Sequence, residues 1–319
     1  MSEAHFVVPD GLDDPARPTG GNVYDRRVSD ELGLREHEVP GFWSEPGSDA
    51  LAALERTLAE IPDGAVALVD GLIASRAPGV LAPQAERLRL VVLVHMPLAD
   101  ERERAALSAA AAVITSSEWS RRRLLELYGI AAEVAEPGVC PAALAAGRDT
   151  GAALLCVAAV TRAKGLDLLL DALATMGDLS WRCECVGRLD REPALVEELR
   201  RRGLVTFTGP RTGAELDRTY AEADLLVLPS RAETYGMVVT EALARGVPVI
   251  AADVGGVAEA LGGGGLLVAP EDAGALAGAL RAWLTDAELR GRLRRAARRR
   301  RETLPAWAVT AAKVAEALR

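Results

Sequence analysis

Short apolar runs bounded by turn residues recur along the chain, and stretches with helical spacing separate them. The runs in the first half are HFVVPDG, AVALVDG, RLRLVVLVHMP and AAAVITSS, followed in the second half by ALLCVAAV, WRCECVG, LVTFTG, ADLLVLPS and VPVIAAD. Apolar residues recur at helical spacing in GNVYDRRVSDELG, EWSRRRLLELYG and GLDLLLDALATM. Alternation of strands with helices is typical of β-α units around a parallel sheet. The pattern therefore predicts the α/β class.

One segment interrupts this alternation. EPGVCPAALAAGRDTGA is rich in Pro, Gly and Ala and has little periodicity, which predicts a domain boundary near residues 147–151. We therefore expect a doubly wound, Rossmann-like domain over 1–148 and a second over 149–304, each of ordinary domain size. The last segment, AWAVTAAKVAEALR, follows a Pro and predicts a separate terminal helix over 305–319.

Composition and charge narrow the function classes. A length of 319 residues is about twice that of a usual single domain, which agrees with two domains. The net charge of -9 argues against nonspecific binding of nucleic acid, because phosphate binding needs a concentrated basic face. The arginine run RGRLRRAARRRRETL favours a solvated helix face over a patch for anionic membranes. No apolar run approaches the ~20 residues of a membrane span, and MSEAHFVVPDG lacks a leader pattern, so a cytoplasmic protein is expected.

The cysteines and histidines do not predict a metal site. Cys183 and Cys185 in WRCECVG alternate as same-face neighbours on a strand do, and all four cysteines are interpreted as small core residues. A Cys-x-Cys pair can bind metal, but histidine occurs only at positions 5, 37 and 95, and no second pair lies at ligand spacing. We therefore expect no bound metal.

The segment ADLLVLPSRAETYGMVVTEALARGVPVIAADVGGVAEAL carries the strongest candidate chemistry. Ligands of open parallel sheets bind beyond the carboxyl ends of the strands, and two such domains facing each other are expected to form a cleft. Here a strand ends at Pro229, a loop carries Glu233, and a helix that begins around Gly236 presents Glu241. The helix N-terminus would attract an anion, and both glutamates could accept hydrogen bonds from sugar hydroxyls. An arbitrary glutamate in such places is more often simply solvated.

This segment resembles the signature of the family-4 (group 1) retaining glycosyltransferases of the GT-B fold. The shared elements are a Pro-Ser, a Glu, a Gly-containing loop, a second Glu, a Gly-x-Pro-Val-Ile strand and a Gly-Gly turn. The resemblance implies that Glu233 contacts hydroxyls of the transferred sugar and Glu241 the ribose of the nucleotide. It also implies that four backbone positions lie beside the sugar and diphosphate: Thr234, Tyr235, Gly236 and Met237. The resemblance further implies that the terminal helix around Trp307 crosses back to pack on the N-terminal domain.

A second match lies upstream, in VAAVTRAKGLDLLLDAL. It resembles the family's first strand-loop-helix unit of the nucleotide domain, whose Lys supports the diphosphate. Lys164 is one of only two lysines in the chain, and it falls at that position, which makes it the expected stabiliser of the leaving group. Ala159 stands where the family usually has an Arg, and Arg162 is the candidate for the missing second charge.

The first half resembles the family only in patches. Gly20-Gly21 in ARPTGGNVYDRRV resembles the glycine loop near the phosphates and the acceptor. A Gly-Gly pair alone more often marks an ordinary turn without a binding role. It does not match the Gly-x-Gly-x-x-Gly of dinucleotide binders, which argues against a dehydrogenase. His95 closes LRLVVLVH, and the resemblance implies that it faces the donor sugar or stabilises transition-state charge, rather than being a structural histidine.

The resemblance implies a retaining, metal-independent glycosyltransferase without a cofactor, whose donor substrate is a nucleoside-diphosphate sugar. The chain has no Asp-x-Asp motif, and Lys164 with a helix N-terminus and the glycine loop could neutralise the diphosphate. The alternatives are an epimerase or hydrolase acting on the same substrates and a noncatalytic sugar-nucleotide-binding protein. The sequence leaves open the nucleotide, the sugar, the acceptor and the oligomeric state.

Overall fold

The computed structural model describes residues 4–319, which form two compact α/β units. Among the described residues, unit 1 consists of 4–14, Thr19–Gly138 and Pro305–Arg319, and unit 2 of Pro15–Pro18 and Val139–Leu304. The segment MSEAHFVVPDG was predicted to lack a leader pattern. Its first three residues lie outside the described residues.

Unit 1 is a six-stranded sheet with helices packed against it. Its strands are β1 (His5–Pro9), β2 (Arg35–Val39), β3 (Val66–Asp70), β4 (Arg89–Val94), β5 (Ala112–Thr115) and β6 (Glu133–Val134). Its helices are α1 (Gly20–Leu32), α2 (Ser48–Ala59), α3 (Gly71–Arg76), α4 (Pro78–Gln84), α5 (Glu101–Ala109), α6 (Glu118–Tyr128) and, from the end of the chain, α14 (Trp307–Ala317).

Every strand pair of the unit 1 sheet is parallel, and the strand order is β2-β1-β3-β4-β5-β6. The central strands β3 and β4 are almost entirely buried apolar residues, as expected for a sheet covered on both faces. Because β1, β3 and β4 are parallel neighbours, their carboxyl ends lie side by side at one edge of the sheet. The α/β class predicted from the sequence is confirmed.

Unit 2 repeats this architecture. Its strands are β7 (Ala153–Val157), β8 (Arg182–Val186), β9 (Thr206–Gly209), β10 (Leu225–Leu228), β11 (Val249–Ala252) and β12 (Gly265–Val268). Its α-helices are α7 (Leu166–Ala174), α8 (Pro193–Arg200), α9 (Gly213–Ala221), α10 (Met237–Ala244), α11 (Val257–Leu261), α12 (Ala273–Thr285) and α13 (Ala287–Arg301), and a 3₁₀ turn covers Arg162–Lys164. The sheet is parallel with the order β12-β11-β10-β7-β8-β9, which makes β7 and β10 neighbours.

The change from unit 1 to unit 2 falls earlier than the predicted residue 148. Unit 2 already includes Val139, because the segment that follows is tied to its helices. The amide of Ala145 donates to the carbonyl of Arg245 at 2.9 Å, and the Arg301 guanidinium donates to the carbonyl of Ala142 at 2.7 Å. Hydrogen bonds of this kind give a segment without periodicity a fixed course.

The prediction for the cysteines is confirmed only in part. Cys156, Cys183 and Cys185 are buried as predicted, but Cys140 is exposed, so the prediction that all four cysteines lie in the core was wrong for Cys140. It lies in the irregular segment after β6, where no strand directs it inward.

The arginine run forms α13, as its spacing predicted. Within residues 4–319, no helix has both the length and the apolar character needed to cross a bilayer.

The terminal helix α14 packs within unit 1. Trp307, only 6% exposed, lies edge-on to the ring of Tyr24 with centroids 5.6 Å apart. The Thr310 hydroxyl donates to the carbonyl of Glu136 at 2.7 Å. Gly138 lies so close to the backbone of Trp307 that a side chain at 138 would collide with it. The end of the chain is therefore part of the first unit's packing.

Replacing Trp307 with Ala should destabilise the protein by about 3–5 kcal/mol, because the change opens a cavity against Tyr24. Urea unfolding followed by circular dichroism measures this loss. Val309→Ala on the same helix is the control, since Val309 is 50% exposed and its truncation should cost about 0.5 kcal/mol or less. Equal losses in the two variants would contradict the packing role of Trp307.

Candidate active site

In unit 2, the loop after β7 brings Lys164 to the end of β10. Lys164 closes the 3₁₀ turn, and Gly165 follows it with φ +64°, a conformation that favours glycine. A side chain at 165 would collide with the carbonyl oxygen of Pro229. The turn can therefore lie directly against the segment that follows β10, and the Lys164 side chain reaches the loop carrying Glu233.

Lys164 and Glu233, both predicted from the sequence, meet in an ion pair. Lys164 Nζ lies 2.6 Å from Glu233 Oε1, and the buried Ser230 hydroxyl donates to the same oxygen at 2.9 Å. The Glu233 side chain is 12% exposed and that of Lys164 is 29% exposed. A polar ligand that entered here would therefore meet a cation and a carboxylate that already compensate each other.

The backbone from Thr234 to Met237 forms the turn into α10. Gly236 has φ +92° and lies at the N-cap of the helix, so the sequence placed the helix start within one residue. Gly255, from the Gly-Gly turn after β11, lies so close that a side chain there would collide with the carbonyl oxygen of Glu233. Tyr235 is buried, whereas Thr234 and Met237 are partly exposed. The free N–H groups at the start of α10 thus follow directly after Glu233.

Glu241 lies one turn into α10 and is held by a residue that the sequence analysis missed. Its Oε2 accepts a hydrogen bond from the Tyr220 hydroxyl at 2.7 Å, and Tyr220 is fully buried. The Arg245 guanidinium lies over the Tyr220 ring at 4.8 Å. Burial raises the pKa of Glu241, although the Tyr220 hydrogen bond and the Arg245 charge oppose that rise. No motif singled out Tyr220, because the α9 residue meets Glu241 only in the folded unit.

Arg162, the candidate for the missing second charge, lies with its side chain 64% exposed. Its guanidinium is 3.5 Å from Glu198, and its backbone amide donates to Glu192 at 3.2 Å. The Arg162 side chain is thus paired with α8, whereas the Lys164 ammonium is paired with Glu233.

In unit 1, Gly20 and Gly21 open α1, and Gly21 lies against His95. The Thr19 hydroxyl caps the helix by accepting from the amide of Asn22 at 3.0 Å. A Cβ at position 21 would lie 3.2 Å from His95 Cδ2, closer than such contacts normally come. The sequence predicted both elements separately, and the structure brings them together at the end of β4.

His95 also contacts two acidic residues that the sequence analysis did not select. Its Nε2 lies 2.7 Å from Asp25 Oδ1 and 3.6 Å from Asp70 Oδ2. Asp25 follows the glycine loop on α1, and Asp70 ends β3, a position that the rule for strand ends could have flagged. Burial lowers the pKa of His95, but the charge and hydrogen bond of Asp25, and then the charge of Asp70, raise it to about 9.

Residues 146–300 match the family model for "Glycosyl transferases group 1". D-inositol 3-phosphate glycosyltransferase 1 of Catenulispora acidiphila is 34% identical over 214 residues, covering 58% of this chain and 51% of that protein. The chain spans about half or less of the length of the curated relatives that it matches.

Two solved structures share the architecture over nearly their whole length. Sucrose-phosphate synthase from Thermosynechococcus elongatus has a TM-score of 0.81 and 22% identity, covering 99% of this chain and 98% of that one. Anabaena HepE in complex with UDP-glucose has a TM-score of 0.78 and 19% identity, with 99% of each chain covered. Identities this low carry the fold alone, and that fold is GT-B. The family match covers residues 146–300, so the second unit carries a group 1 glycosyltransferase domain.

Proposed function

We propose that this protein transfers a sugar, with retention and without a metal ion, from a nucleoside-diphosphate sugar to an acceptor. The observation that supports this most strongly is the Lys164–Glu233 pair at the ends of β7 and β10, immediately before the N-terminus of α10. A cation and free backbone N–H groups suit a diphosphate, and a carboxylate suits sugar hydroxyls.

In the proposed reaction, the bond between the anomeric carbon and the diphosphate oxygen breaks while a bond to an acceptor oxygen forms. Negative charge grows on the departing phosphate, and the acceptor's proton passes to it, as the family resemblance implies for front-face displacement. Lys164 stabilises that charge once donor binding draws its ammonium from Glu233 to the phosphate. Glu233 is then free to accept hydrogen bonds from the sugar.

The nucleotide side of the donor is assigned to Glu241. Because the Tyr220 hydroxyl occupies Oε2, the remaining acceptor capacity of the carboxylate is available for ribose hydroxyls. The Tyr220 ring is buried beneath Arg245, so the hydrogen bond also fixes the direction in which Glu241 points. This geometry favours nucleotide binding in a single orientation.

Binding and acceptor dependence test the function directly. Anabaena HepE was solved with UDP-glucose, so UDP and UDP-glucose are the first probes. A ligand at ~100 times its dissociation constant stabilises a protein by about 2.7 kcal/mol, which a thermal unfolding scan detects. UDP release should then require an acceptor, and the first candidate is D-inositol 3-phosphate, after which the Catenulispora acidiphila relative is named. EDTA should leave the rate unchanged.

Substitutions of Glu241 and Glu233 should have different effects on nucleotide binding. Glu241→Ala should weaken binding of the free nucleoside diphosphate and of the sugar nucleotide by about 1.5–3 kcal/mol each, because it removes charge-assisted hydrogen bonds to ribose. Tyr220→Phe should weaken both by about 1 kcal/mol through loss of orientation. Glu233→Ala should spare the free nucleotide and reduce turnover. Calorimetric titrations in which Glu233→Ala and Glu241→Ala lose nucleotide affinity equally would contradict this division.

Lys164→Ala should lower kcat by ~100-fold or more while changing donor affinity much less, because the charge it meets grows as the glycosidic bond breaks. Steady-state kinetics at saturating donor and acceptor measure the effect. Arg162→Ala is the matched control on the same turn, and its exposed pairing with Glu198 predicts an effect below about threefold. A larger effect would mean that Arg162 supplies the second charge, and near-normal kcat in Lys164→Ala would exclude the proposed role of Lys164.

A further inference from the structure

Three titratable side chains meet in unit 1 where β3, β4 and the start of α1 converge. Asp25 is 1% exposed and Asp70 is 5% exposed, and both carboxylates face Nε2 of His95. The shorter distance, 2.7 Å to Asp25, is that of a charge-assisted hydrogen bond. The two carboxylate oxygens of Asp70 have different partners: Oδ1 accepts a hydrogen bond from the amide of Leu72 at 2.8 Å, and Oδ2 faces His95.

Two glycines permit this convergence. A Cβ at Gly71 would lie 2.7 Å from the carbonyl oxygen of Leu93, so only glycine lets α3 begin this close to β4. A Cβ at Gly21 would lie 3.2 Å from His95 Cδ2, so glycine also eases the approach of α1 to the His95 ring. The backbone is therefore shaped to bring Asp25 and Asp70 to one nitrogen of one histidine.

The charges at this point need a cation. A buried carboxylate is costly unless it is paired and hydrogen-bonded. A neutral imidazole can donate one hydrogen bond from Nε2, but it offers no charge to balance Asp25, whereas an imidazolium offers both. The ring of Tyr24 also borders this cluster. It lies edge-on to the His95 ring with centroids 5.3 Å apart, and its hydroxyl donates to the carbonyl of Ala135.

We propose that Asp25 is a positioning residue that, with help from Asp70, holds His95 as an imidazolium with Nε2–H directed at Asp25 and Nδ1–H available to a substrate oxygen. Both carboxylate contacts use Nε2, so neither consumes the second N–H. In the proposed transferase, Nδ1–H would donate to a sugar hydroxyl or phosphate oxygen, and in this respect the inference rests on the proposed function. The charge state of His95 does not depend on it.

The titration of the neighbouring groups agrees with this assignment. The pKa of His95 is raised to about 9, so the ring is charged at neutral pH. Burial, followed by the charge of Asp25, raises the pKa of Asp70 above its ordinary value, and Asp25 is the carboxylate nearer to His95 Nε2. Burial and the charge of Asp25 also raise the pKa of Tyr24, which therefore stays neutral.

A bound metal ion is the alternative occupant of this cluster, since one ligand atom from each residue lies within 4.8 Å of the others. Two ligands of a tetrahedral zinc ion would stand roughly 3.3 Å apart, given metal–ligand distances near 2.0–2.1 Å. Asp25 Oδ1 and His95 Nε2 are 2.7 Å apart, which suits a shared proton.

Proton NMR of the three histidine rings, assigned with His95→Gln, tests the charge state without any activity assay. In the wild type, His95 should titrate with a midpoint near 9. In Asp25→Asn, which keeps the shape of the side chain, the midpoint should fall to about 6.5. Asp70→Asn should give a smaller fall because of its longer distance. Asp30→Asn, an exposed change on the same helix, should leave the midpoint in place.

Thermodynamic linkage gives a second readout. Because the pKa of His95 is higher in the folded than in the unfolded chain, its stabilisation is complete below about pH 6.5 and is lost as the pH rises to about 9. The free energy of unfolding of the wild type should fall over that window, and Asp25→Asn should fall much less. A wild-type midpoint near 6.5, or a midpoint that Asp25→Asn leaves unchanged, would overturn the proposal. So would zinc binding at this cluster at micromolar concentration.

Activity provides the third arm. Asp25→Asn should lower kcat by about tenfold or more at pH 8, where its His95 is neutral, and by less than about threefold at pH 6, where both proteins carry the imidazolium. A loss independent of pH would mean a purely structural role and would overturn the proposal. Should the protein not transfer sugar at all, the proposed function fails while the NMR and unfolding results still decide the charge state of His95.

Discussion

Parallel pairing is the constraint on which both candidate sites depend. When every strand of a sheet runs the same way, each strand ends at the same edge, and residues far apart in the sequence become neighbours there. In unit 2 the adjacency of β7 and β10 brings Lys164 to Glu233, although 68 residues separate them in the chain. In unit 1 the order of β1, β3 and β4 brings Asp70 to His95 in the same way.

Close backbone approach then determines which side chains can meet. Gly165 admits the Lys164 turn to the carbonyl of Pro229, and Gly71 admits α3 to the end of β4. A larger residue at either position would move a charged group away from its partner. These glycines therefore act on electrostatics through geometry, since an ion pair separated by a few ångströms more would lose most of its compensation.

The sequence was sufficient for the class of fold. Buried strands such as β4 are continuous apolar runs, and their ends could be located within a residue or two. β2, by contrast, reads REHEV and lies only partly buried at the edge of its sheet, so it carries no apolar signal and was not predicted. The boundary after residue 138 was placed too late because the hydrogen bonds that tie the next segment to unit 2 have no counterpart in periodicity.

The residues that support the candidate site were harder to predict, and the reason is physical. Lys164 and Glu233 lie in local patterns of turn and helix start, whereas Tyr220 and Asp25 lie on helices where their neighbours in sequence say nothing about their partners. Each becomes significant only because folding buries it against one titratable group, Glu241 or His95. A buried polar side chain must be satisfied, so each such pair constrains both members at once. In both units, then, a group expected from its motif is oriented by a second buried side chain that only the fold reveals.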